Sequence, residues 1–204
     1  ALGLEPSEFL LLQPTRMVQR KTIEHSIELV RRLGAKACLV ISHQGGDEGS
    51  SYEEYLRTFS ELLGARVLFA SSRIGSERRT SPSGEQLYAL GDVYQQADLV
   101  TYPSTIEGFG NAFLEAIYYG RPIVVNDYSI FATDIAPKGF QVIEFEGFID
   151  DACVQAVRKV LANADLARQM GEANYALGRR YYSYAVLRHH LTDLLKECYG
   201  ELSD

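Results

Sequence analysis

The chain has 204 residues, 46% of them hydrophobic and 23% charged, with a formal net charge of -7 and a pI near 5.2. That length supports one sizeable core, so residues 1–204 read as one domain. The acidic balance and the lack of a long Lys/Arg run argue against a nucleic-acid surface, and no stretch approaches the roughly 18 apolar residues of a membrane span. With no basic-then-apolar leader visible, a cytoplasmic location is expected. The chain opens at Ala1 without an initiator Met and runs almost at once into a strand-like segment, so it reads as part of something longer.

In chain order, Phe9 to Gln13 and Ala37 to Ser42 are apolar runs of strand length. Between them Thr22 to Leu33 has helical spacing at Ile23, Ile27, Val30 and Leu33. Gly34, Gly64 and Gly120 each close an apolar helical segment just before a strand-like one, where a left-handed turn is needed. Ser71 to Gly84 reads as a polar loop, Asp98 to Tyr102 as a buried strand and Gln141 to Phe145 as a late one. About six strands alternating with helices predict a Rossmann-like α/β fold, a three-layer parallel sheet. From about 149 to 204 the pattern is helical, with Asn163-Ala164-Asp165 as a break and Ser183 as a cap.

In such a sheet, ligands sit at the carboxyl ends of the strands. Two of those ends carry chemistry. After Tyr102-Pro103, Gly108 and Gly110 allow close backbone approach, and a helix starting near Asn111 would aim its N–H groups at an anion. Glu115 is the only charged residue between Ala112 and Tyr118, which makes it a candidate acceptor for two vicinal hydroxyls. After Gln13, Arg16 offers a rigid fork and Lys21 a flexible point charge to phosphate oxygens. A solvated basic loop and an exposed or Arg-paired Glu are the competing readings.

Cys38, Cys153 and Cys198 form neither a CxxC pair nor a ligand cluster with histidine, so no metal site is expected. His43 differs from the other three histidines because its loop, through Gln44-Gly45-Gly46-Asp47-Glu48, should open on the ligand edge. The tyrosines at 181, 182 and 184 suggest aromatic packing on the sheet or on a missing domain. A nicotinamide dehydrogenase is excluded because Pro14 to Thr22 contains no glycine. A phosphoacceptor receiver domain would need acids where Thr15 and Arg16 stand.

With Arg16 and Lys21 after the first strand, Pro103-Ser104, Glu107-Gly108-Phe109-Gly110, and Glu115-Ala116, the sequence resembles the C-terminal half of the GT-B glycosyltransferases of family 4 (glycosyl transferases group 1). The two acids stand with seven residues between them, as in that family. The resemblance implies a donor site for a nucleotide sugar, a UDP- or GDP-sugar ahead of an ADP-sugar, with no other cofactor and no metal. Arg16 and Lys21 would hold the diphosphate, Glu115 the ribose, and Glu107 with Gly108, Phe109, Gly110 and Asn111 the transferred sugar. Arg73 and Ile74 would lie against the base, and configuration at the anomeric carbon would be retained. The acceptor domain would precede this chain and carry any peripheral membrane contact, leaving the isolated chain inactive. A nucleotide-diphosphate-binding module, or a GT-B epimerase or phosphorylase, is the alternative. Thr22 replaces a glycine common after the Lys, a change expected to be harmless, and a Gly-Gly pair is absent from Asp127 to Phe131.

Overall fold

The computed structural model describes residues 2–45, 51–82 and 84–200. Six strands form one parallel sheet: β1 (Phe9–Gln13), β2 (Ala37–Ile41), β3 (Val67–Phe69), β7 (Leu99–Tyr102), β8 (Ile123–Asn126) and β9 (Ile143–Phe145). The strand order is β3-β2-β1-β7-β8-β9. The chain winds outward from β1 to β3, crosses back, and winds outward the other way from β7. The switch point between β1 and β7 leaves a crevice at their carboxyl ends.

Alternate residues of each strand enter different halves of the core, as the pleat requires. Leu11, Leu39 and Leu99 pack with α1 (Glu24–Leu33), α2 (Ser51–Leu63) and α5 (Asp151–Leu161). Leu10, Leu12, Val40 and Val100 pack with α3 (Leu90–Gln96) and α4 (Asn111–Tyr118). The strands are buried on both faces, which is why they read as continuous apolar runs rather than alternating ones. The expected glycine turns are present: Gly34, Gly64 and Gly120 all have positive φ.

Segment 71–84 is more ordered than its polar composition predicts. A 3-10 turn at Ser71–Arg73 leads into β4 (Ile74–Gly75), and β5 (Arg79–Thr80) is antiparallel to β6 (Gln86–Ala89), which also pairs with β4. Both residues of β5 are exposed, so the strand rests on backbone pairing and carries no hydrophobic signal.

The helical tail comprises α5, α6 (Ala164–Tyr182) and α7 (Tyr184–Tyr199). The break falls at Asn163 and Ser183 caps α7 as expected, accepting from the Val186 N–H, while the Asn163 side chain also caps α6, accepting from the Leu166 N–H. α6 crosses α4 very closely: a Cβ at Gly171 would lie 2.3 Å from the Gly120 carbonyl oxygen. Tyr182 packs edge-to-face on Phe109 at 4.9 Å, so part of the tyrosine cluster does pack inward, whereas Tyr184 is 90% exposed. Among the described residues no helix is long and apolar enough to cross a membrane.

Candidate functional site

The loop after β1 is set by a buried amide. Gln13, fully buried at the strand's end, donates through Nε2 to Thr15 Oγ1 at 2.8 Å. Its Oε1 accepts from Ser26 Oγ on α1 at 3.0 Å and from Thr101 Oγ1 on β7 at 2.7 Å. A buried amide with its hydrogen bonds filled fixes the backbone it belongs to. The chain leaves this anchor through Arg16 and a 3-10 turn at Gln19–Lys21.

Next comes Thr22, the one non-glycine residue with positive φ among the described residues, at φ 42° and ψ 49°. A β-branched side chain is strained there. The glycine-to-threonine change is therefore not harmless, although Thr22 Oγ1 donates to the Pro103 carbonyl at 2.5 Å. The left-handed residue also delays the start of α1 to Glu24.

That hydrogen bond belongs to a seam joining the loop after β1 to the loop after β7. Thr105 N–H donates to the Arg20 carbonyl at 3.1 Å, and the Arg20 guanidinium donates to the Ile106 carbonyl at 3.2 Å. The Lys21 ammonium forms an ion pair with the Glu107 carboxylate, and Arg20 lies 3.5 Å from the same group. Both paired side chains are nearly buried, at 10% and 8% exposure. Burial would raise the Glu107 pKa, but the Lys21 ammonium and nearby Ser104 hydroxyl outweigh it and hold it below the usual carboxylate value. Lys21 and Glu107 thus engage each other.

Gly110 caps the start of α4 at φ 111°, and the Tyr102 hydroxyl fills the space a side chain there would need. A Cβ there would lie 2.5 Å from that oxygen. The first backbone bond of α4 runs from Phe113 N–H to the Gly110 carbonyl, leaving the N–H groups of Asn111 and Ala112 as first-turn donors at the cleft. The buried Tyr128 hydroxyl donates to the Phe109 carbonyl at 2.7 Å and fixes the glycine-rich turn from the β8 side.

One turn into α4, Glu115 is half-buried and accepts a hydrogen bond from the Tyr94 hydroxyl at 2.9 Å. On the β2 side, Ser42 Oγ lies 2.8 Å from His43 Nδ1. Burial lowers the His43 pKa, Glu115 opposes that shift and Arg16 adds to it. Gly46, Asp47 and Glu48, the rest of the loop that drew attention to His43, lie outside the described residues.

These groups line one cleft of about 510 Å³ at the β1/β7 switch point: Arg16, Lys21, His43, Glu107, Phe109, Gly110, Asn111 and Glu115, with Arg20, Leu90 and Tyr102. Gly108 lies exposed in the same turn. Arg73 and Ile74 do not line this cleft; they mark the entry to the small sheet. Sequence reasoning missed Arg20, Tyr94, Tyr102 and Gln13. Arg20 stands in the basic run already noticed, and a glutamine closing an apolar strand was a signal for a buried polar anchor. A second cavity opens at the amino ends of the strands beside Leu10 and Asp98, but four of its charged groups are already engaged. Glu8 pairs with Arg66, Arg78 with Asp92, and Asp98 accepts from the Leu10 N–H.

Residues 83–177 match the family described as "Glycosyl transferases group 1". A mannosylglucosylglycerate synthase from Petrotoga mobilis is 31% identical over 160 residues, covering 70% of this chain and 36% of that protein. One from Thermotoga maritima is 28% identical over 222 residues, covering 94% and 49%. The chain therefore spans half or less of the length of these relatives. Among solved structures, Anabaena Alr3699/HepE in complex with UDP aligns with a TM-score of 0.73 at 15% identity, over 94% of this chain and 49% of the other. WaaG, a glycosyltransferase involved in lipopolysaccharide biosynthesis, aligns at a TM-score of 0.67 and 22% identity, over 98% and 49%.

Proposed function

Because the chain belongs to the glycosyl transferases group 1, we propose that it is the donor-binding half of a two-domain, family 4 enzyme that transfers a sugar from a nucleoside diphosphate to an acceptor hydroxyl. The observation that carries this reading is the convergence of Arg16, Lys21, the α4 N-terminus and Glu115 in one cleft at the switch point. Arg16, Lys21 and the first-turn N–H groups hold the diphosphate. Glu115 accepts from the ribose hydroxyls, and Glu107 with the 108–111 backbone meets the sugar. Arg73 and Ile74 sit toward the base from outside the cleft lining, so they contribute backbone or a rim contact. Sharing of the ligand edge with an acceptor domain outside this chain fits the doubled length of the relatives, and such a domain would hold acceptor and any membrane contact.

In the reaction the bond from the anomeric carbon to the β-phosphate oxygen breaks as a bond to the acceptor oxygen forms, and the acceptor's proton leaves with the diphosphate. Charge accumulates on the leaving oxygen. The exposed Arg16, a Lys21 released from Glu107 and the α4 dipole stabilise it, so the scheme routes no step through a metal. Retention, a UDP or GDP donor and a cytoplasmic setting complete the proposal.

Calorimetric titration of the chain with UDP, GDP and ADP, with and without Mg²⁺, tests it. Binding selective for one base, indifferent to Mg²⁺ and lost in Arg16→Ala and Glu115→Ala, is expected. A folded chain that binds none of the three would overturn the donor-site reading.

A further inference from the structure

Glu115 is held by a brace from α3. Tyr94 on α3 is 1% exposed, and its hydroxyl donates across the helix interface to Glu115 Oε2 at 2.9 Å. Behind it the Tyr119 ring stacks on Tyr94, with centroids 5.0 Å apart and planes 11° from parallel. Tyr119 stands four residues after Glu115, on the same face of α4. Its hydroxyl in turn presses on α3, where a Cβ at Gly91 would lie only 2.4 Å from it. The order α3, Tyr94, Tyr119, α3 thus closes on itself, and the buried Tyr94 ring is held by the stack.

Resting on the reading of Glu115 as the ribose acceptor, we infer that Tyr94 is a positioning residue for ribose recognition, locking the Glu115 carboxylate so that it accepts both hydroxyls of a 2′,3′-diol. The acceptor capacity permits this. An ionised carboxylate offers about four lone-pair sites, so after Tyr94 takes one on Oε2, room remains for two hydroxyls. Burial and the neighbouring Glu115 charge both raise the Tyr94 pKa, so the phenol keeps its proton and acts as a donor. Without it the carboxylate would turn about its own side-chain torsions and would have to be ordered by each arriving ligand. Ordering one such side chain is worth about 2- to 10-fold in affinity.

The test compares affinities of the 204-residue chain for UDP and 2′-deoxy-UDP, and for GDP and 2′-deoxy-GDP, as a ratio of ribo- to deoxyribonucleotide. Wild type should prefer ribose, Glu115→Ala should bring the ratio to about one, and Tyr94→Phe should narrow it by about 2- to 10-fold. In the Glu115→Ala background Tyr94→Phe should change nothing further. Tyr55→Phe, which removes an exposed hydroxyl on α2 outside the cleft, should keep the wild-type ratio. Glu115→Asp, which withdraws the carboxylate from Tyr94, offers a second route and should narrow the ratio as Tyr94→Phe does. A purely structural tyrosine would lower unfolding temperature and leave the ratio alone, and that result would overturn the inference. An unchanged ratio in Glu115→Ala, or a folded chain that binds none of these nucleotides, would instead overturn the ribose reading on which it stands.

Discussion

Replacing Gly110 by alanine should damage the site through two separable effects. At φ 111° and ψ 81° the alanine backbone is strained, which costs about 1–3 kcal/mol. The new Cβ would also lie 2.5 Å from Tyr102 Oη and 3.0 Å from Cζ. Tyr102 is 1% exposed and packs edge-to-face on Tyr128 at 5.9 Å, so it has no room to withdraw. Overpacking of this kind costs about 1–3 kcal/mol more. The two together predict a loss of about 2–6 kcal/mol, or a fall of about 4–24 °C in unfolding temperature for a chain of this length. Tyr102→Phe removes the oxygen and leaves a ring carbon at a distance that a shift of a few tenths of an ångström relieves. In that background Gly110→Ala should cost about 1–3 kcal/mol less, because the backbone strain is what chiefly remains. Urea unfolding of wild type, both single variants and the double variant, followed by circular dichroism, measures the coupling. Equal cost in both backgrounds would refute the proposed collision, and a Gly110→Ala protein as stable as wild type would refute the whole argument.

Gly171→Ala should lower stability by about 1–2 kcal/mol, since the collision is with the backbone of Gly120 and the helix-propensity gain is only about 1 kcal/mol. Gly178→Ala meets the Cγ2 methyl of the buried, β-branched Ile117 at 2.8 Å, a side chain with little freedom to yield. The helix-propensity gain of about 1 kcal/mol offsets only part of that clash, so it too should lower stability, less than Gly171→Ala does, a contrast readable by thermal unfolding. Glu107→Gln strands the Lys21 ammonium and should cost about 1–3 kcal/mol at neutral pH, below the figure for a fully buried pair because the cleft admits water. The folded-state pKa of Glu107 is lowered, so its contribution is complete above the unfolded value of about 4.3 and disappears as pH falls through the folded value. The gap between wild type and Glu107→Gln in urea titrations should accordingly close below about pH 4. Burial pushes the thiols of Cys38 and Cys153 up to about 11, whereas Cys198 is exposed. A thiol reagent at pH 8 should therefore label one cysteine in the native chain and all three after denaturation.

The parallel sheet and helical tail were legible because doubly buried strands and amphipathic helices write their period into the sequence. The small sheet was not, since Arg79 and Thr80 pair through their backbone and bury nothing. The residues of the cleft were legible through their positions after β1 and β7, but their state was not. Lys21 and Glu107 lie 86 positions apart, and nothing local to either announces that they neutralise each other. Glu115 presented itself as an unpartnered acid because its partner, Tyr94, reads as an ordinary core aromatic from another helix. Thr22 was misjudged for a related reason: the left-handed conformation belongs to the turn, and a threonine occupies it only because Pro103 supplies an acceptor from a distant loop.

The seam between the loops after β1 and β7 has a thermodynamic consequence for ligand capture. Fixing a free backbone residue costs about 1–2 kcal/mol, and here folding has already met that cost, through the bonds of Thr22, Thr105 and Arg20. A ligand entering the crevice meets a frame that is already still, and surrenders chiefly its own freedom and that of a few side-chain tips.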